Sequence, residues 1–467
     1  MSTNHSAAFR LGDIRGIYPS DINESFIYQF ARIFTRHFGL AGKRVVTGRD
    51  TRHSGESLQQ ALNQGLLDSG LEVLDLGISA TEVGYFASVQ TGISAALMVT
   101  ASHNPGAYNG LKCILAGGKV VTFETGLRDI MYAMAVEHHE VRMAPEQPQP
   151  AEIHEHFCDF ISGKFSGEPL QGLRMALNPM FGTAVPTASA LAASLGLNIS
   201  WLNQEAAPVP PEGPDPIKPD RLAEMQRFMA RGQYDLGVAW DGDADRCLFF
   251  DGTGNLIPTY YVVGMFATAA LERSPGAAIV YDSKLCWNTE DIIARHRGKP
   301  VIARTGHAFM KEKMQSSGAA YGGELSGHHY FGDFFGCDSG MYAWLEMVRI
   351  LSHAGKDLAS LTEEYRRQIR CTREVSLKIG NFDALTTRLM SEFEVLAEAV
   401  TRVDGLAIHL GNWRMSIVPS KTEDTVRFNF EGRCSEDELL EGANHVLRLA
   451  SAYVASEEAV PTLQATL

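Results

Sequence analysis

Residues 43–77 read KRVVTGRDTRHSGESLQQALNQGLLDSGLEVLDLG, and the texture changes twice along them. KRVVTGRD (43–50) is a short β-branched run, and LEVLDLG (71–77) is another. Between them Leu58, Ala61, Leu62, Leu66 and Leu67 recur at helical spacing, and Gly70 reads as the stop of that helix. Strand, helix and strand in that order imply a parallel pairing and an α/β fold.

The pattern returns further along the chain. LRMALNP (173–179) and AAIVYDS (277–283) are again apolar strands that end in a small polar loop with helical periodicity after it. The pattern points to three similar α/β units, although two unrelated α/β domains would look much the same. MAPEQPQPA (143–151) reads as a linker, and AAPVPPEGPDPIKPD (206–220), with six prolines, as a loop and not a helix. After Cys371, TREVSLKI and TVRFNFEGR alternate apolar and polar residues, as a smaller α+β domain with a partly exposed sheet would. The expected domains are 1–150, 151–253, 254–369 and 370–467.

A chain of 467 residues is too long for one core. Hydrophobic residues make up 45% and charged residues 21%, the balance of a soluble globular protein. The longest apolar run, Tyr260 to Leu271, falls short of the roughly 20 residues a bilayer requires and reads as a buried helix. MSTNHSAAFR at the start has no signal-peptide core, and seven scattered cysteines without a CxxC pair read as reduced thiols in a cytoplasm. The net charge of −14 argues against nucleic acid or an anionic membrane as the main partner. A small anionic substrate would need a local basic pocket.

Four loops carry chemistry. LMVTASHNPGAYNGLK (97–112) sets Ser102 beside His103 at the end of a strand. A hydrolase elbow needs GxSxG, which is absent. In extended chain the two side chains would point to opposite sides, leaving His103 badly placed as a base for Ser102. By itself the stretch is equally a turn. In YDLGVAWDGDADRCLFF (234–250) an apolar strand ends in Asp241, Asp243 and Asp245. On a straight strand they would lie about 7 Å apart on one face. Curled into a loop they can converge on one hard cation, which relieves their repulsion; solvated loop acids are the alternative. An EF-hand reading fails, because its glycine and glutamate positions hold Arg246 and Gly252. An Asp-x-Asp-x-Thr phosphatase signature fails at Asp245. Magnesium suits what remains, since it commonly keeps phosphate oxygens in its shell. GGELSGHHYFGDF (322–334) offers Glu324, Ser326, His328 and His329 to sugar hydroxyls, or is a loop with one packed histidine. IVPSKTEDTVRF (417–428) offers Ser420, Lys421 and Thr422 to a phosphate, or is a solvated turn.

Together, and in this order, these loops resemble those of the α-D-phosphohexomutases, most closely the bacterial phosphomannomutase and phosphoglucomutase branch. TASHNP, DGDADR, GELSGHH and SKTEDTVR carry the resemblance, with DIRG (13–16), WNT (287–289) and TGHAFMKEKM (305–314) in support. It implies four domains around a central cleft, three similar α/β domains with mixed sheets and a smaller C-terminal α+β domain. It implies that Ser102 is a phosphoserine, that one Mg²⁺ per chain binds Asp241, Asp243, Asp245 and Ser102, and that Arg15 and Arg246 flank the transferring phosphate. Lys112 and His328 are the candidates for acid/base work, with the assignment between them open. Lys284 and His307 would line the cleft, Glu324 and Ser326 would hold sugar hydroxyls, and Ser420, Lys421, Thr422 and Arg427 would bind the other phosphate. The reaction implied is interconversion of mannose 6-phosphate and mannose 1-phosphate through a hexose 1,6-bisphosphate, which also serves as activator. Glucose or glucosamine phosphates are alternative substrates, and a weakly catalytic sugar-phosphate-binding protein is the alternative of another class. A phosphatase has little support. The expected partners are small hexose phosphates, with no nucleic acid and no membrane, and the chain a monomer or homodimer. Two departures stand out: Val418 where the branch usually has arginine, and Lys421 where it has asparagine. A planar fork is exchanged for a point charge. Gly12 also stands where a tyrosine is expected.

Overall fold

The computed structural model describes residues 5–137, 147–170, 172–420, 425–455 and 459–464. Two compact units divide the chain, Met1–Leu256 with Gly327–Leu358 and Ile257–Ser326 with Ala359–Leu467.

The first unit opens with β1 (Ile14–Ile17), α1 (Glu24–His37), β2 (Arg44–Arg49), α2 (Gly55–Leu67), β3 (Glu72–Ile78), α3 (Thr81–Ser88), β4 (Ile93–Val99) and β5 (Tyr108–Leu115). Short β6 (Lys119–Val120), α4 (Arg128–Val136) and short β7 (Gln149–Pro150) follow. β2 pairs in parallel with β3 and β4, β3 in parallel with β7, and β5 runs antiparallel between β4 and β1. The expected strand–helix–strand over 43–77 is therefore β2–α2–β3. α2 ends at Leu67, short of Gly70, which takes φ +78° in the turn into β3. Gln149 and Pro150, inside the stretch read as a linker, add a strand to β3, while residues 143–146 lie outside the described residues. Phe26, Phe30 and Phe34 of α1 pack with Leu58, Leu62 and Leu66 of α2 on Val45, Leu97 and Val99 of the sheet. Each such side chain contributes about 1.5–3 kcal/mol on burial, and the result is a stiff platform whose strand ends carry the polar loops.

The next sheet is built from α5 (His154–Phe165), β8 (Arg174–Asn178), α6 (Ala184–Leu195), β9 (Asn198–Trp201), α7 (Pro219–Gly232), β10 (Leu236–Trp240) and β11 (Cys247–Phe250). β8 lies in parallel between β9 and β10, and β11 runs antiparallel to β10. The proline-rich stretch is a loop as far as Lys218, but Pro219 begins α7. A proline is tolerated at the first helical position because its missing N–H would have had no partner there.

α8 (Thr259–Arg273) is the apolar run, buried along most of its length. Among the described residues no helix is long and apolar enough to cross a membrane. β12 (Ala278–Asp282) pairs in parallel with β13 (Lys299–Ala303) and β14 (Tyr321–Gly323), with α9 (Trp287–Arg295) and α10 (His307–Ser317) as the crossovers. The antiparallel pair β15 (His329–Phe331) and β16 (Cys337–Asp338), with α11 (Gly340–Ala354), belongs to the first unit.

After α12 (Leu358–Arg366) comes the C-terminal sheet: β17 (Arg370–Cys371), β18 (Val375–Leu377), β19 (Ala399–Thr401), β20 (Leu406–Leu410), β21 (Trp413–Pro419) and β22 (Val426–Gly432). It is antiparallel throughout and carries α13 (Phe382–Phe393) and α14 (Glu436–Ala450). Phe428 and Phe430 enter its core with Met415 and Ile417, so the alternate residues Arg427, Asn429 and Glu431 face the other way. Glu431 is fully buried and accepts four hydrogen bonds, from Tyr260 Oη (2.6 Å), Cys286 N (2.9 Å), Trp287 N (2.9 Å) and Arg414 Nη1 (2.8 Å). Arg414 also donates to the carbonyls of Lys284 (2.8 Å) and Ser283 (2.7 Å). The architecture is three α/β domains followed by a C-terminal α+β domain.

Candidate active site

The loop after β4 is held from underneath. Thr100 Oγ1 donates to Asp50 Oδ2 (2.7 Å) and accepts from Ser102 N (2.9 Å). Arg52, buried within the domain, spends all five of its N–H bonds. Nε donates to Asp50 Oδ2 (3.0 Å), Nη1 to the carbonyls of Pro105 (2.8 Å) and Tyr108 (2.7 Å), and Nη2 to those of Ser102 (2.9 Å) and Asn104 (2.7 Å). Ser102 takes φ +52°, a left-handed conformation that a serine adopts only when its surroundings impose it. That turn corrects the extended-chain expectation for His103. Its Nδ1 lies 3.2 Å from Ser102 Oγ, because the backbone between the two residues is not extended. Burial, then Arg246 and Arg15, push His103 well below the usual histidine range, so at pH 7 it is a neutral hydrogen-bonding partner.

The loop between β10 and β11 curls through Ala244 at φ +61° and gathers Asp241, Asp243 and Asp245, each with an oxygen within 4.8 Å of the others. Ser102 Oγ donates to Asp241 Oδ2 at 2.7 Å. Gly242 is required here, because a Cβ would stand 2.7 Å from Pro214 Cγ and 3.0 Å from the Ser102 carbonyl. Lys112 reaches in from β5, its Nζ 2.6 Å from Asp243 Oδ2 and 2.5 Å from Asp245 Oδ2. β1 brings Arg15 beside it, and Gly110 allows the approach, since a Cβ would lie 2.1 Å from the Ile14 carbonyl. Arg15 Nε donates to Asp13 Oδ2 (2.9 Å) and Nη1 to Asn104 Oδ1 (2.6 Å). Arg246 Nε stands 3.6 Å from Asp241 Oδ2. His328 Nε2 is 3.3 Å from Asp245 Oδ1 and 3.9 Å from Asp338 Oδ2. Ser102, Arg15, Lys112, Arg246, His328 and the three aspartates thus share one buried neighbourhood of the first unit.

In the second unit, Glu324 Oε1 accepts from Gly306 N (2.6 Å), just before His307, whose Nδ1 lies 3.3 Å from Lys311 Nζ. Asp282 Oδ2 accepts from Leu325 N (2.9 Å) and its Oδ1 from Lys284 N (3.0 Å), tying the Glu324–Ser326 loop to the Lys284 loop. Glu374 then joins Lys284 Nζ to Arg427 Nη1, each at 3.5 Å, and Arg427 Nη2 lies 3.4 Å from Ser420 Oγ. Lys421 and Thr422 lie outside the described residues.

Sequence reasoning passed over Arg52, Asp50, Thr100, Asn104 and Glu374. Arg52 and Asp50 were open to view in GRDTR, at the end of the strand that begins the first βαβ unit, where a charged pair is a plausible loop anchor. Glu374 gave no local signal, because its partners come from positions far along the chain.

Comparison with known proteins bears on the family of the chain. Residues 6–134, 155–254 and 258–368 match, in turn, alpha/beta/alpha domains I, II and III of phosphoglucomutase/phosphomannomutase. A phosphomannomutase of Salmonella montevideo is 36% identical over 438 residues, covering 92% of this chain and 96% of its own. The chain belongs to the phosphoglucomutase/phosphomannomutase family. Phosphohexose mutases of Xanthomonas campestris pv. campestris are 35% identical over 435 residues, covering 91% of this chain and 95% of theirs. A phosphoglucomutase/phosphomannomutase family protein of Burkholderia thailandensis has the same fold, with a TM-score of 0.83 at 27% identity over 97% of this chain and 98% of its own. Members of this family are isomerases, intramolecular phosphotransferases. The first family match contains Arg15, Ser102 and Lys112, the second the three aspartates and Arg246, and the third Lys284, His307, Glu324, Ser326 and His328.

The aspartate cluster of this family member suits a divalent cation. Asp243 Oδ1 is buried and accepts no hydrogen bond, and buried Asp245 Oδ1 has His328 Nε2 at 3.3 Å but no hydrogen bond of good geometry. Burial and the charges of Asp243 and Asp245 push the Asp241 carboxyl up to about 7, against the opposing pull of Arg246 and Lys112. A cation would relieve that repulsion and occupy the bare oxygens. Burial works against the Lys112 charge, yet Asp243 and Asp245 hold the ammonium above the usual lysine range.

Glu82, on α3, is buried and accepts at Oε2 from Ser339 Oγ and from Met341 N (3.4 Å). Burial raises its carboxyl from 4.5 to about 8, with the Ser339 and Met341 bonds pulling the other way. Unfolded chain loses this proton near pH 4.5 and folded chain near pH 8, so in between unfolding releases a proton and stability falls as pH rises. Glu82→Gln removes that contribution. From about pH 4.5 to about pH 8 its stability relative to wild type should climb by as much as about 1.4 kcal/mol per pH unit, read by urea unfolding at stepped pH. Parallel curves for the two proteins would refute the assignment.

Proposed function

We propose that this protein is a phosphomannomutase that interconverts mannose 6-phosphate and mannose 1-phosphate, and glucose phosphates as well, in the cytoplasm. The observation that carries the reading is Ser102 Oγ at 2.7 Å from Asp241 within the three-aspartate cluster. Ser102 carries the phosphoryl group. In the first transfer the bond from phosphorus to Ser102 Oγ breaks, a bond to the free hydroxyl of the hexose monophosphate forms, and that hydroxyl's proton leaves. Lys112 and His328 share the proton handling, removing the proton from the sugar and returning one to Ser102. The sugar 1,6-bisphosphate then turns over and its other phosphate returns to Ser102, so added bisphosphate acts as an activator. Phosphoryl transfer depends on alignment and charge neutralisation more than on covalent help, and Arg15 and Arg246 provide both beside Ser102. A divalent cation held by Asp241, Asp243 and Asp245, with Mg²⁺ as the proposed ion, supplies further neutralisation at a phosphoryl oxygen. Glu324 and Ser326 bind ring hydroxyls, and Lys284, His307, Ser420, Lys421, Thr422 and Arg427 hold the rest of the substrate.

The Val418 departure does not favour a weakly catalytic binding protein. Val418 pairs in register with Arg427 across β21 and β22, and the Arg427 guanidinium reaches Ser420. An arginine on the neighbouring strand thereby supplies the fork that position 418 lacks. Arg427→Ala should raise KM about 10- to 100-fold, as loss of a charged hydrogen bond does, while kcat changes much less. An unchanged KM would remove Arg427 from the phosphate site.

A coupled assay with Mg²⁺, trace hexose 1,6-bisphosphate and mannose, glucose or glucosamine 1-phosphate tests the whole reading. Turnover should be found with mannose 1-phosphate. Turnover of glucosamine 1-phosphate alone would reassign the substrate, and no turnover of any of the three would sink the proposal.

A further inference from the structure

We propose that Thr81 is a positioning residue that decides which oxygen of Asp243 is presented to the divalent cation; the inference rests on the cation site proposed above. Thr81 is the first residue of α3 and is fully buried. It grips Asp243 twice, its N donating to the Asp243 carbonyl (3.0 Å) and its Oγ1 to Asp243 Oδ2 (2.6 Å). Lys112 Nζ donates to the same Oδ2. One carboxylate oxygen therefore receives two donors and the other, Oδ1, receives none, although both are buried. A carboxylate free to rotate would share its donors between the two oxygens. Here rotation is blocked, and the bare oxygen is the one left for a cation.

The anchor is rigid. Every residue of α3 is buried, and Gly84 lets the helix settle on β4, where a Cβ would lie 2.8 Å from Met98 Sδ. From this buried helix the hydroxyl of Thr81 donates to Asp243 Oδ2. Lys112 is not dedicated to Asp243 in the same way, because its Nζ is shared with Asp245 Oδ2. Hydrogen bonds that orient a metal-ligating carboxylate are typically worth about 10- to 100-fold in metal affinity.

Thr81→Val tests the role, since valine keeps the shape and the backbone bond to Asp243 and removes only the hydroxyl. Mg²⁺ binding is measured by calorimetry, and Mn²⁺ binding by electron paramagnetic resonance, on dephosphorylated wild type, Thr81→Val and Thr81→Ser. Thr81→Val should bind at least about tenfold more weakly, leaving more of the sharp signal of free Mn²⁺. Thr81→Ser, which retains the hydroxyl, should stay within about threefold of wild type. Near-UV circular dichroism reports the fold of each variant. If wild type binds cation and a folded Thr81→Val binds equally well, Thr81 has no such role. A Thr81→Ser as weak as Thr81→Val would also overturn it, by making the methyl group responsible. If wild type binds neither ion, the cation site itself is wrong.

Discussion

Ser102→Ala is expected to abolish mutase turnover, by on the order of 10⁴-fold or more, while the protein folds and binds hexose phosphate. Only Oγ is lost. It sits where the loop after β4 meets the aspartate cluster, donating to Asp241. His103, whose Nδ1 lies 3.2 Å from Ser102 Oγ, serves that oxygen as a hydrogen-bond partner and is not expected to take over as carrier. Removing the hydroxyl leaves Asp241 without that donor, a cost of about 1–3 kcal/mol in a buried setting, small enough for the domain to stay folded. Coupled turnover and intact-protein mass spectrometry check the prediction together. Wild type should carry a phosphoryl mass that the variant lacks. A variant that turns over at more than a few per cent of wild type would end the phosphocarrier role.

Arg52→Met should have the largest effect on stability. The substitution removes five donors at once, leaving the Asp50 carboxylate and the carbonyls of Ser102, Asn104, Pro105 and Tyr108 without their buried partner. Breaking a buried ion pair from one side costs about 3–5 kcal/mol, and urea unfolding should register at least that. Arg52→Lys keeps the charge but offers three donors to five acceptors, so it should fall between the two. Turnover should collapse in both variants, because Arg52 ties together the carbonyls of Ser102, Asn104, Pro105 and Tyr108 that shape the loop carrying Ser102. An Arg52→Met protein as stable as wild type would show that water or backbone movement satisfies these carbonyls.

What could be read in the sequence was what lies close along the chain. The βαβ unit over 43–77 declares itself through Leu58, Leu62 and Leu66, whose spacing reflects one buried helix face. Asp241, Asp243 and Asp245 were legible because three like charges at the end of an apolar strand need a reason to be there. His103 was misjudged because side-chain direction was inferred from an extended backbone, and a single left-handed residue reverses that inference. Arg52, Thr81 and Glu374 were missed for another reason. Their partners are Ser102 and Asn104, Asp243, and Lys284 with Arg427, and those pairings exist only after strands far apart in sequence have been laid side by side.

The four bonds to Glu431 and the grip of Arg414 on the Ser283 and Lys284 carbonyls have a thermodynamic corollary for anion capture. The turn bearing Lys284 is bolted to the same pair of strands that bears Ser420 and Arg427. If these residues hold a phosphate, as proposed above, the arriving anion would meet cations already assembled, and little of its attraction would be consumed in recruiting them. Loosening that bolt, as Glu431→Gln would, should leave Lys284, Ser420 and Arg427 unchanged by identity yet make the proposed capture more entropically costly.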